Sequence, residues 1–144
     1  MSLIDLFEYH QDIILLEVTE NMERVQLKHY EADSENKLRQ KMARTYYVFK
    51  EAITKESFDP LKKYLERVGE ERYASGYELY ELQTALDILE ECIWKQIDEK
   101  LPKNEQLDAF ITITKYMSNA KLTLAKVYVF HTKEASEPAH NHRA

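Results

Sequence analysis

Apolar residues recur every three or four positions along most of this chain, the spacing of helices that each turn one face inward. Phe7, Ile14, Val18, Met22 (or Asn21), Val25 and His29 share such a face, which predicts a first helix from Leu3 to Tyr30, with a midway bend left open. Glu31-Ala32-Asp33-Ser34 breaks the pattern and offers an N-cap for a second helix running to about Thr54. There Leu38, Met42, Phe49 and Ile53 point inward, with Tyr46 and Tyr47 beside them. A third helix starts near Ser57-Phe58-Asp59-Pro60, with Asp59 as N-cap and Pro60 at the first helical position. Its stripe is Phe58, Leu61, Leu65 and Val68, and Gly69 costs ~1 kcal/mol relative to Ala inside it, the mark of a close approach by another helix.

Two signals compete at Gly76: a left-handed residue ending the third helix, or a capping box Ser75-Gly76-Tyr77-Glu78 opening the fourth. The fourth helix, about Glu78 to Lys100, is the most apolar, with Leu79, Leu82, Leu86, Leu89, Ile93 and Ile97 flanked by Ala85, Ile88 and Cys92. Trp94 lies beside that face and is expected to be largely buried. Pro102 ends the helix, and a fifth follows from about Asn104 to Lys133. The expectation is one all-α domain over residues 1–133, five helices in a globin-like or bundle arrangement, followed by a disordered polar tail over 134–144.

Composition narrows the class. Two glycines and three prolines in 144 residues leave too few turn formers for sandwiches or barrels, and too few glycines for a phosphate-binding loop. One cysteine, Cys92, excludes an internal disulfide and a Cys-rich zinc site, and its apolar helix makes it a buried, inert thiol. Asp5 and Glu8 stand where a secretory leader would be basic, and the longest aliphatic run is Ile13 to Leu16; the expectation is a cytoplasmic protein with no membrane span. Charge comes in blocks: net −7 over 1–36, +5 over 37–63, −6 over 64–106 and +2 over 107–144. Such alternation suits neighbouring helices that attract, and the acidic total of −6 argues against a nucleic-acid partner.

Little catalytic chemistry is legible. The only Glu-x-x-His spacing is Glu137 to His140, in the tail, so no di-metal cage is expected. His10, His29 and His131 lie on helices, and the latter two extend apolar stripes; they read as structural residues, with haem ligation as the alternative. Ser and Thr positions lack a His and an acid at a readable catalytic spacing, although a triad need not be local in sequence, and the chain is expected not to be an enzyme, with no cofactor and no metal. Lys37, Arg39, Lys41 and Arg44 form the one dense basic patch, read as a solvated face meeting acidic helices or as a site for an acidic partner or phosphate. Ten tyrosines suit half-buried positions; Tyr73, Tyr77 and Tyr80 crowd one junction and could rim a ligand pocket, although packing at the core edge suffices.

Residues 61–97, LKKYLERVGEERYASGYELYELQTALDILEECIWKQI, carry an Arg, a Gly four residues later, Leu79, Leu82, Ala85 and the pair Ile93-Trp94. In these features the chain resembles the N-terminal sensor domain of RsbR/RsbRD-type stress-response (stressosome) regulators, over about residues 4–133 in helix order. The resemblance implies a globin-like fold that usually lacks haem, dimerises and precedes an output module; it carries over no catalytic residues. The expected function is a non-enzymatic sensory or regulatory domain in signal transduction, a homodimer with a possible protein partner, signalling through its last helix. Two readings stand beside it: a haem-binding globin-type sensor or carrier, and a plain helical adaptor. Phe110, Ile113, Met117, Ala120, Leu124, Val127 and His131 follow an unbroken 3-4 spacing and are assigned as the dimer interface, a coiled-coil seam, although an intramolecular groove could use the same stripe.

Overall fold

The computed structural model describes residues 1–136. Seven helices follow one another: α1 (Leu3–Tyr9), α2 (Gln11–Val25), α3 (Lys28–Glu31), α4 (Glu35–Lys55), α5 (Asp59–Ala74), α6 (Leu79–Lys100) and α7 (Lys103–Ser136). The long helices close into a ring, α2 against α4, α4 against α5, α5 against α7, α7 against α6 and α6 back against α2. Phe7, Ile14, Tyr46, Phe49, Leu61, Leu89, Ile93, Ile113 and Met117 fill its centre. The short α1 packs on α2, α4 and α6 and closes one end of the ring. The all-α class expected from the shortage of glycine and proline is the observed one, with no strand among the described residues.

Local chemistry explains the boundaries. Ser2 and Asp5 form a reciprocal capping box at the start of α1. Ser34 Oγ accepts the Lys37 N–H at 3.1 Å and caps α4. The expected first helix is three: α1 gives way to α2 at His10, and α2 stops at Gln26, which takes the left-handed conformation at φ 53°. Nothing in the 3–4 spacing marks either break, because the apolar stripe continues across them. At α5 the cap is shifted by one residue: Asp59 is the first helical residue, Pro60 follows it, and Ser57 Oγ accepts the Asp59 N–H at 3.3 Å. α7 runs through Ser136, into the stretch expected to be a disordered tail from residue 134; the rest of that stretch, 137–144, lies outside the described residues.

Tyr46 ties α4 to α1. It is fully buried and its hydroxyl donates to the Phe7 carbonyl at 2.6 Å. Tyr46→Phe leaves that carbonyl unpaired in the core and is expected to lower the stability by ~1–2 kcal/mol, read as a reduced urea midpoint with unchanged slope.

Two expectations about α6 and α7 are corrected. Trp94 is 36% exposed and touches Phe110 edge-on, with centroids 6.2 Å apart. Ile93 takes the inward position, and one residue further the helix has turned ~100° toward the outside. Iodide is therefore expected to quench the native Trp94 fluorescence, to an intermediate degree; complete protection would contradict this placement. On α7, the stripe assigned to a dimer seam is used within the chain. Ile113, Met117, Ala120 and Leu124 are buried in its own core; Phe110 and Val127 pack against that core, and His131 is half-buried on Glu70. The ring needs an apolar face on α7 to bury between α5 and α6, and this stripe is it. Tyr128 also holds α7 to its own body, while Ile111 and Leu122 face outward.

Candidate functional site

The turn between α5 and α6 gathers polar and aromatic side chains from several helices and their flanks. Gly76, at φ 87°, ends α5 in a Schellman arrangement: Tyr77 N–H bonds the Arg72 carbonyl at 3.0 Å and Gly76 N–H the Tyr73 carbonyl at 3.1 Å. Of the two signals at Gly76, the left-handed cap is the one used. The capping box opening α6 lies three residues further on, between Glu78 and Glu81.

Glu81 is fully buried, an expensive place for a carboxylate unless it is well bonded. Its Oε1 accepts the His29 N–H at 2.8 Å, while its Oε2 accepts the Glu78 N–H at 2.8 Å and lies 2.6 Å from His29 Nδ1. Burial opposes its charge, but the two backbone N–H groups and the His29 ring outweigh that and hold its pKa below the usual carboxylate range. One side chain thus caps α6 and clamps α3 to it.

Tyr77 is the hub of the cluster. Its ring stacks on His29 at 4.8 Å and meets Tyr30 edge-on at 5.2 Å. Lys41 and Arg72 each lie 5.5 Å from its centroid, within cation–π range. Lys41 Nζ also donates to the Tyr77 hydroxyl at 3.1 Å and to Asp33 at 2.7 Å. The Tyr128 hydroxyl donates to the Tyr77 carbonyl at 2.8 Å, so α7 is tied to the same turn. Burial pushes the Tyr30 hydroxyl far up from its ordinary pKa, with Arg72 opposing, and the Tyr128 hydroxyl up to about 12. Arg72 Nε is buried without a hydrogen-bond partner among the described residues. The cluster seals the end of the ring opposite α1.

The basic patch is divided by the structure. Lys37 and Lys41 both pair with Asp33, and Lys41 belongs to the cluster; Arg39 and Arg44 stay exposed. Of the three tyrosines at the junction, Tyr77 enters the cluster, Tyr73 stacks on His131 at 4.4 Å, and Tyr80 faces outward. His29 and His131 are each held by a carboxylate, Glu81 and Glu70. No group of three or more potential metal ligands occurs among the described residues. Cys92 is buried beside Asn21, and burial pushes its thiol up to about 11, away from nucleophilic reactivity. No helix among the described residues is long and apolar enough to cross a membrane.

Sequence reasoning missed Glu81 and Asp33. A signal for Glu81 was present: it shares a helix face with Ala85 and Ile88, and a carboxylate on an apolar face asks for a partner. A second feature, a groove of about 530 Å³ between α5 and α7, is lined by Phe58, Lys62, Glu66, Glu70, Asn119, Leu122, Thr123, Lys126, Val127 and Phe130. No family model matches the chain, and no curated protein or solved structure matches it.

Proposed function

We propose that this chain is a non-enzymatic regulatory domain of the cytoplasm, a sensory element in signal transduction that works as a homodimer and passes its state along α7. The observation that carries this reading is the placement of α7. It is 34 residues long, packs along α5 and α6, and is bonded through Tyr128 to the half-buried cluster around Tyr77. A change in that cluster therefore has a direct mechanical route into the longest helix. The resemblance of residues 61–97 to stress-response sensor domains supports the same reading, and the resemblance implies the globin-like arrangement and the role in stress response.

The reading is tested in cells with complementary luciferase halves fused after the C-terminus of the full chain. Luminescence is expected to change on osmotic upshift, ethanol or heat, and Tyr77→Ala is expected to abolish the response without abolishing expression. Output that ignores all three stimuli, or that Tyr77→Ala leaves unchanged, overturns the proposal. A stoichiometric Soret band in protein from haem-supplemented cells, removed by replacing His29 or His131, would instead make the chain a haem sensor.

A further inference from the structure

The outward face of α7 carries a second stripe that the core does not use. Leu107, Ile111, Leu122 and Val129 are 68, 56, 51 and 63% exposed. Thr114 and Ser118 are exposed and Ala125 half-exposed between them. At ~100° per residue these seven positions fall within about 80° of one another, so they form one face. Their order, 107, 111, 114, 118, 122, 125, 129, steps by 4, 3, 4, 4, 3 and 4 and reads the same from either end. Its midpoint is Ser118.

We infer that this face pairs with the same face of a second copy of the chain, the two α7 helices running antiparallel about a two-fold axis at Ser118. The inference rests on the dimer of the proposed function and gives it a geometry. An isologous contact needs a self-complementary patch, and this stripe is one. Leu107 then meets Val129 of the second copy, Ile111 meets Ala125, Thr114 meets Leu122, and Ser118 meets itself. Large residues face smaller or similar ones in every layer, and the small centre lets the two backbones approach closely.

The flanking charges choose the direction. Asp108 and Lys126 lie on the same edge of the stripe, and neither forms an ion pair among the described residues. Antiparallel pairing about Ser118 brings Asp108 of each copy within two residues, ~3 Å of helix rise, of the level of Lys126 of the other on the same edge, within reach of a lysine side chain for two opposite-charge contacts. In a parallel pair Asp108 of one copy and Lys126 of the other stay ~27 Å apart along the axis, so neither contact forms. The stripe spans ~33 Å of helix, long enough for the pair and its flanks to approach the ~1,200 Å² at which specific interfaces begin. The two copies then send the ends of α7 in opposite directions, so they cannot continue together as one parallel coiled coil.

Engineered cysteines in the full chain test this, with native Cys92, which is buried, as the background control. Ser118→Cys is expected to form a disulfide-linked dimer under copper–phenanthroline. Leu107→Cys and Val129→Cys are each expected to stay unlinked alone and to cross-link to one another when co-expressed. Leu122→Asp is expected to be monomeric by light scattering with its helical circular dichroism retained, since Leu122 is outside the core. Self-linkage of Leu107→Cys, or a dimer that Leu122→Asp leaves intact, overturns this geometry while leaving the regulatory reading standing. A wild-type chain that is monomeric at every concentration overturns the inference together with the dimer of that reading, and the luciferase response then decides the rest of it.

Discussion

Replacing Leu124 with Asp is expected to unfold the chain. Leu124 is 2% exposed, next after Met117 and Ala120 along the buried stripe, where α7 lies between α5 and α6. Removing a buried leucine costs ~2–5 kcal/mol, and the carboxylate put in its place has no cation in the apolar stripe to meet it. Together these reach the ~5–15 kcal/mol that a domain of this size has in hand. The measurement is a thermal melt followed by circular dichroism, with Leu122→Asp alongside. The two positions are two residues apart on one helix, yet the first substitution is expected to abolish the cooperative transition and the second to leave it nearly in place. A folded, helical Leu124→Asp monomer would show that the stripe does not belong to the core. That outcome is the one the coiled-coil assignment anticipates, so a single pair of variants decides between the two faces of α7.

The same helix shows what a one-dimensional pattern conveys. Periodicity identified α7 as amphipathic and named the members of its dominant stripe, because 3–4 spacing is a property of the helix alone. It did not say against what the stripe packs, since a core groove and a second subunit present the same apolar surface to it. The weaker outward stripe was overlooked, because Thr114, Ser118 and Ala125 interrupt its large residues. Helix starts at Ser34 and near Pro60, and the turn at Gly76, were legible from capping chemistry that is local by nature. The break at Gln26 was not, because a left-handed glutamine has no sequence mark and is tolerated where the surrounding packing demands the turn. Gly69 was read correctly as a close approach: a Cβ there would stand 3.2 Å from Val127 of α7. The cluster around Tyr77 could be seen only in part. Its tyrosines crowd one stretch of sequence, but His29, Asp33, Lys41 and Tyr128 reach it from three other helices or their flanks.

Glu81→Ala is expected to destabilise the fold by ~3 kcal/mol or more. The substitution removes the acceptor of two backbone N–H groups and of the His29 ring at once, at a position that is fully buried. Glu81→Gln keeps one acceptor oxygen and the side-chain shape, so about half that loss is expected from it. The comparison between wild type and Glu81→Gln also isolates a pH dependence. The Glu81 pKa is lower in the folded chain than its ordinary value of 4.5, so the folded state favours the ionised form. Its stabilisation is therefore fully present above that ordinary value and is lost as the pH falls through the folded one. In urea titrations between about pH 6 and about pH 3, the advantage of wild type over Glu81→Gln is expected to hold steady and then shrink below the ordinary carboxylate value. A difference that stays constant down to the lowest pH would mean that Glu81 is held by its shape and not by its charge, and that the α3–α6 clamp is not the ionic one its hydrogen bonds describe.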